Sequence, residues 1–321
     1  MRTLIIDTDA GSDDTAAIIM AFRSLSVVVK AITIVSGNVS ITQGLSNISY
    51  IKEICQSDIP VFAGAAGPLL RPAQPATWFH GEDGLGDVGY RPHTDPTVSL
   101  THASDAIIEF VNKGEDIELV TLGPLTNIAI AIRQDPTIVQ KIKMCTIMGG
   151  APCCEGNVTP AAEYNIWFDP EAAKIVFQSG LKIRMIGWQL SRGSTVLSKT
   201  DLLLMRDKGT IISEFVLNSN CKAQDAYLRQ TGENGLSLPD AVAMACALEP
   251  SLCLINSEHY VEIETDSELT LGMTVVDRLG VSEDQRNINT WSKCLLRQKT
   301  KVDVCWEIDS VRYKTMLIDS L

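Results

Sequence analysis

The sequence predicts an α/β fold: an open, mostly parallel sheet flanked by helices, with a smaller helical and strand C-terminal subregion. Three observations carry that expectation. Short apolar runs alternate with segments of helical periodicity, the order that feeds β-α-β units into a parallel sheet. Helix punctuation falls where such units need it, with Pro124 in a first turn and Gly180 just past a helix end. No Pro-, Gly- or Ser-rich linker or charge run divides the 321 residues, so one domain spanning 1–321 is expected.

The elements follow in order. Residues 3–6 read as the first strand, 13–23 as a helix, 27–35 as the second strand, 42–55 as a helix and 61–63 as a short third strand. Residues 118–122 read as another strand, followed by a helix over 124–133. Two further strands are expected at 143–148 and 182–186, the second after a helix over 170–179. Residues 64–101 break into a Gly/Pro-rich stretch too long for an idle connection, and are expected to form a rim loop over a site. Residues 201–248 read as helical. Residues 259–276 and 302–308 read as strands of the smaller C-terminal subregion.

Composition narrows the function classes. With 27 Lys+Arg against 39 Asp+Glu, the net charge of -12 has the wrong sign for gripping phosphate backbones, so nucleic acid and anionic membrane are poor partners. The apolar stretch before Asp7 is too short for a signal peptide, and nowhere do enough apolar residues run together to span a bilayer. A cytoplasmic location is expected. The 9 Cys are scattered, and their only close pair, Cys153-Cys154, is vicinal, which suggests neither a disulfide framework nor a zinc site.

The strongest local signal is Asp7-Thr8-Asp9-Ala10-Gly11-Ser12-Asp13-Asp14, where a buried strand hands over to a helix. Ligand sites of parallel sheets lie at such carboxyl ends. Two carboxylates about 4 Å apart repel by roughly 4 kcal/mol at an effective dielectric of about 20, so the cluster needs a cation or bound protons. An all-oxygen donor set suits Ca²⁺ or Mg²⁺ rather than zinc. It is not an EF-hand, because Gly11 falls one position early and Ile18 stands where the bidentate Glu is required. A solvated acidic turn capping a helix is the plain structural alternative.

These residues carry a resemblance to the nucleoside hydrolase (nucleoside N-ribohydrolase) family. It extends through Gly37-Asn38, His80-Gly81-Glu82-Asp83-Gly84-Leu85-Gly86, Leu122-Gly123-Pro124-Leu125-Thr126-Asn127, Met148-Gly149-Gly150, and Glu155-Gly156-Asn157 on to Asp169-Pro170-Glu171-Ala172-Ala173. The resemblance implies a Ca²⁺-dependent enzyme that cleaves the N-glycosidic bond of ribonucleosides with water. It implies calcium ligands at Asp7, Asp14, the Leu122 carbonyl and Asp240, and a catalytic base at Asp9. Asp13, Asn38, Asn157, Glu163 and Asn165 are implied around the ribose, with Met148, His80 and Trp188 as further substrate contacts. Because the ribose hydroxyls also ligate the metal in this family, calcium with 6–8 oxygen ligands suits it better than octahedral magnesium. A homodimer or homotetramer is implied likewise.

Structural alternatives remain open at this level. Asn157 could be a turn residue, Glu163 and Asn165 a solvated strand face, Asp240 a helix cap, Trp188 a core residue, and His80 either a lid contact or an exposed imidazole. Gly84-Leu85-Gly86-Asp87-Val88-Gly89 is no dinucleotide fingerprint, since neither a strand precedes it nor a helix follows. Asp7-Thr8-Asp9 is also similar to the opening of haloacid-dehalogenase-like Mg²⁺ phosphatases. That is the alternative enzyme class, beside a non-catalytic calcium- or ribose-binding module.

Many members of the resembled family carry His immediately before the last metal Asp, where this chain has Pro239. Tyr227, Arg229 or His80 would then have to protonate a leaving base. Without such a donor, purine nucleosides are the expected preference, with Trp188 stacking on the base. Gln189 and Ala10 also depart from the family pattern, standing where an acidic residue and Pro are found in relatives.

Overall fold

A computed structural model describes all residues except 95, 97–98, 115, 288 and 292–299. The chain opens with β1 (Arg2–Thr8), α1 (Ser12–Arg23), β2 (Val27–Ile34), α2 (Ile41–Cys55) and β3 (Val61–Ala63). Helices α3 (Thr77–His80) and α4 (Ala103–Lys113) lead to β4 (Ile117–Thr121) and α5 (Thr126–Gln134). Then come β5 (Met144–Met148), α6 (Tyr164–Phe168), α7 (Pro170–Phe177) and β6 (Ile183–Ile186). Helices α8 (Lys199–Asp207), α9 (Ile211–Ser219), α10 (Cys221–Thr231) and α11 (Pro239–Leu248) occupy the stretch read as helical. The remaining strands are β7 (Cys253–His259), β8 (Val261–Ile263), β9 (Thr274–Val276) and β10 (Val302–Ile308), followed by a helix over Ser310–Asp319.

Eight strands form one sheet in the order β3-β2-β1-β4-β5-β6-β10-β7. All neighbours in it pair in parallel except β10 and β7. The sequence expectation of an open, mostly parallel sheet therefore holds, with one difference at the C-terminal end. Residues 302–308 join the main sheet beside β6, and among the described residues β8 and β9 alone pair separately as a two-stranded unit. Val302, Val304 and Cys305 are buried, so this strand gains more from covering the exposed flank of β6 than a small separate sheet could offer.

The central strands are buried on both faces, as helix-covered parallel sheets require. Leu4, Ile5 and Ile6 are buried to within 1% exposure, and so is every position of Ile117–Thr121 within 7%. Helices α1 and α11 are buried almost all round and pack against each other. Both helices are rich in Ala, with Ala16, Ala17, Ala241 and Ala245 in one core cluster, and small side chains let two backbones run close together. The chain order reverses between β1 and β4, and at such a switch point the loops after the strands splay apart into a crevice. Asp7 and Thr121, register partners across these strands, mark its floor.

The stretch over 64–101 folds as turns around α3 in its described part, with residues 95, 97 and 98 outside it. Helix α4 lies beyond the elements expected from the sequence, although Ala103, Ala106, Ile107, Phe110 and Val111 repeat with helical spacing. Its start is signalled by an unusual cap, His102 Nδ1 accepting from the Ser104 backbone N–H at 3.2 Å.

Candidate active site

The turn after β1 carries the acidic cluster into the crevice. Thr8 Oγ1 accepts from the Ala10 backbone N–H and donates to Asp14 Oδ1, while Asp14 Oδ2 accepts from Gly11 N–H at 2.8 Å. Asp14 thereby caps the helix it belongs to, which fixes its carboxylate at the N-terminus of α1. Ala10 adopts φ of 58°, a left-handed conformation that the ring of Pro could not enter. The departure from the family's Pro thus matches the backbone of this turn.

Asp7, Asp9, Asp14 and Asp240 are all buried to 2% exposure or less, and Asp13 to 7%. Asp13, Asp14 and Asp240 each offer a carboxylate oxygen within 4.8 Å of the others, although Asp240 arrives from the start of α11, far along the chain. Asp7 Oδ1 accepts from Thr33 Oγ1 at 2.5 Å and Asn127 Nδ2 at 2.8 Å, whereas Asp7 Oδ2 and Asp13 Oδ1 are buried with no hydrogen-bond partner among the described residues. Burial pushes the Asp7 carboxyl up to about 7 against those hydrogen bonds. Burial, then the charge of Asp13, pushes Asp14 up to about 7. Asp240 is held well above the carboxylate range by burial and the charges of Asp13, Asp14 and Asp9. A set of buried oxygens that resist ionisation together, two of them orphaned, has the donor chemistry for a hard cation.

Asp9 lies beside this cluster. Its Oδ2 accepts from the Asn38 backbone N–H at 2.7 Å and its Oδ1 from Asn38 Nδ2 at 3.2 Å. Burial, then the charge of Asp14, raises its pKa well above the ordinary value. Gly37 and Gly123 press against it so closely that a Cβ on Gly37 would stand 2.1 Å from Asp9 Oδ2, and one on Gly123 2.9 Å from Asp9 N.

A half-open cleft lies above the cluster, with polar and aromatic side chains converging on it. Asp13, Asn38, His80, Leu122, Met148, Asn157, Glu163, Asn165, Trp188 and Asp240 all line it, while Asp7, Asp9 and Asp14 are not lining residues and lie deeper. The Leu122 carbonyl accepts from Asn165 Nδ2 at 2.8 Å, and the same Nδ2 reaches the Met148 carbonyl at 3.2 Å. Glu163 is a buried N-cap of α6, and no strand runs there: it accepts from the Asn165, Gly150 and Ile166 backbone N–H groups. Burial still pushes its carboxyl up to about 6. Asn157 Oδ1 accepts from Tyr164 N–H at 2.9 Å.

His80 is buried, not an exposed loop imidazole, and sits 3.8 Å from Asp13 Oδ1. Its Nδ1 accepts from the Ser12 backbone N–H at 3.4 Å, a pattern that puts the ring proton on Nε2. Burial lowers its pKa. Trp188 is 4% exposed and meets the edge of Tyr227 with ring centroids 6.3 Å apart, so it is both packed and cleft-lining. Tyr227 does not line the cleft, since its hydroxyl donates to Glu233 at 2.5 Å, and Arg229 is an exposed residue outside the lining. Trp78, Phe79, Tyr164, Gln230 and Ser237 also line the cleft and are not among the candidates that the sequence singles out. Only the sequence run Trp78-Phe79-His80 could have signalled an aromatic wall.

Comparison with known proteins agrees with this architecture. Residues 4–315 match the family model described as inosine-uridine preferring nucleoside hydrolase. The pyrimidine-specific ribonucleoside hydrolase RihB of Escherichia coli (strain K12) is 37% identical over 284 residues, covering 87% of this chain and 88% of RihB. Among solved structures, the plant nucleoside hydrolase PpNRh1 superposes with a TM-score of 0.88 at 30% identity over 99% of this chain and 98% of that one. A purine-preferring ribonucleoside hydrolase from Gardnerella vaginalis superposes with a TM-score of 0.86 at 28% identity, with coverage of 99% and 98%. A sheet of this order, an acidic cluster at its switch point and a match along nearly the whole length lead to one assignment: the chain is an enzyme of the inosine-uridine preferring nucleoside hydrolase family.

Proposed function

We propose that the enzyme uses Ca²⁺ to hydrolyse the N-glycosidic bond of ribonucleosides, releasing free base and ribose, and that it prefers purine nucleosides. The observation that carries the reading is a pair of buried oxygens without hydrogen-bond partners among the described residues, Asp13 Oδ1 in the lining of a cleft with an aromatic wall and Asp7 Oδ2 deeper beneath it. Asp7, Asp14, Asp240 and the Leu122 carbonyl would hold the ion, and their all-oxygen chemistry fits calcium. When bound, such an ion acidifies a water molecule and polarises sugar oxygens.

Asp9 is the base that takes the proton from the attacking water. The two Asn38 hydrogen bonds fix its orientation, and a carboxylate held so beside a divalent cation can take the proton of a water the cation acidifies. Asp13 Oδ1 accepts from the ribose 2′-hydroxyl. Asn157, whose Oδ1 is taken by Tyr164 N–H, presents its amide to another ribose oxygen, and Glu163 and Asn165 shape the wall with Met148. The protein acts as a homodimer or homotetramer in the cytoplasm, as one domain spanning 1–321.

The leaving base decides the preference. Pro239 lines the cleft where family members carry an acid, and it has no proton to give. Tyr227 is engaged with Glu233, so stacking on Trp188 has to substitute. Stacking is worth about 1–3 kcal/mol per base, whereas a general acid contributes about 10²–10⁴-fold, so pyrimidines, poor leaving groups, suffer more. A second reading rests on the 37% identity to a pyrimidine-specific enzyme, with the His80 Nε2–H as donor.

Paired kinetics on inosine and uridine separate the two. The reading expects kcat/KM for inosine to exceed that for uridine by at least about tenfold, or 1.4 kcal/mol of barrier, and Trp188→Ala to erase that advantage. Equal efficiencies, or uridine ahead with loss on His80→Ala, favour the second reading. Phosphate release from an ester without any base release would instead mark a phosphatase.

A further inference from the structure

We propose that Cys153 and Cys154 form a vicinal dithiol at the cleft rim that captures thiophilic trivalent arsenic, and that capture disables the cleft. Cys153 is exposed, and Cys154 is half-buried against the cluster of Trp188, Val196 and Tyr227 together with Phe79. Trp188 and Phe79 line the cleft, so Cys154 packs against the same cluster that supplies its aromatic wall.

The segment has little room to yield. Before the pair, Trp188 N–H donates to the Gly150 carbonyl at 2.8 Å, and Pro152 lies so close that a Cβ on Gly187 would stand 2.5 Å from its Cδ. After the pair, Arg192 ties Glu155 to Glu233. Asn157 and Val158, a few residues on, are themselves cleft lining. Joining the two sulfurs through one arsenic atom therefore strains a wall pinned on both sides.

Neighbouring thiols make the second bond intramolecular, which is why a dithiol outcompetes any single cysteine for such an electrophile. The balance is simple. Phenylarsonous acid carries two hydroxyls on arsenic. Each S–H proton leaves with one hydroxide as water while an S–As bond replaces an As–O bond, and no electrons are transferred. Burial pushes the Cys154 thiol up to about 11, so the exposed Cys153 attacks first and Cys154 closes the ring.

The turnover half of the proposal rests on the nucleoside hydrolase reading, while the labelling half stands alone. Protein treated with phenylarsine oxide is expected to gain one phenylarsenic group by intact mass, to keep it against excess monothiol and to lose it to a dithiol. Base release should fall by at least about tenfold and recover with the dithiol. Cys153→Gly, which accepts the φ of 56° at that position, should turn over like wild type and lose both the retained label and the inhibition. Monothiol-resistant label on Cys153→Gly would move the site elsewhere, for instance to Cys253 with its neighbours Cys246 and Cys305, and overturn the proposal. So would a fully labelled wild type with unchanged turnover. A wild type that releases no base at all would instead count against the function, with the labelling result still deciding the site.

Discussion

Gly37→Ala adds one methyl group that need touch no substrate, yet it should disable the enzyme. Gly37 does not have a positive φ, so its backbone accepts Ala without strain. The new Cβ, however, would stand 2.1 Å from Asp9 Oδ2, 2.7 Å from Asp9 Cβ and 2.8 Å from Asp9 Cγ. Non-bonded carbon contacts settle near about 3.5 Å, so the Asp9 carboxylate must retreat by about 1 Å. A displacement of about 1 Å at a catalytic group costs about 10²-fold, or roughly 2.7 kcal/mol of barrier. Overpacking should also remove about 1–3 kcal/mol of stability, which a thermal melt reports separately. Base release from inosine is the assay, with Gly67→Ala as control because only Ala73 Cβ, at 3.8 Å, approaches its new methyl group. A folded Gly37→Ala protein with kcat within about twofold of wild type would refute the placement of Asp9 as the base.

Asp9→Asn should retain calcium, measured by titration calorimetry, while losing about 10²–10⁴-fold in kcat; unchanged kcat would remove Asp9 from the chemistry. Asp14→Ala takes away the carboxylate that Thr8 and Gly11 hold in place, and should lose both calcium binding and turnover. For chelated protein, the Asp7 and Asp14 carboxyls lie at about 7 by burial, above the about 3.9 of an unfolded chain. The folded state then binds the extra protons at these two groups, so their contribution to stability is full below about pH 4 and is lost as pH rises through about 7. Melting temperature should drop between about pH 5 and pH 8 without calcium and drop less with it, and a rise in the chelated protein would contradict the burial argument. Light scattering should give a multiple of the 34.9 kDa chain mass, and a monomer alone would overturn the oligomer.

The sheet and the acidic turn are legible in the sequence because both are local. The apolar run ending at Asp7 and the carboxylates that follow state a strand, a turn and a helix start within a few residues. What stays hidden is convergence over distance. Asp240 meets Asp14 only after the chain has crossed the sheet several times, and nothing in Leu238-Pro239-Asp240 distinguishes a ligand from a cap. Glu163 has a solvated strand face as its alternative in the sequence, but it is a buried cap whose three backbone partners no periodicity reveals. Tyr227 is a candidate donor by residue type alone, and its hydroxyl is committed to Glu233. Residues 302–308 are recognisable as a strand, yet which sheet they extend depends on the open flank of β6. Gly37 and Gly123 are visible only as letters of a pattern, and their reason is the close approach of Asp9.

Ribose release from inosine by enzyme stripped of divalent ions and then reloaded tests the account most directly. Stripped protein, verified metal-free by elemental analysis, should release no ribose, and Ca²⁺ should restore turnover in wild type but not in Asp14→Ala. Full activity in the verified metal-free protein would contradict the proposed metal-holding role of Asp7, Asp14 and Asp240.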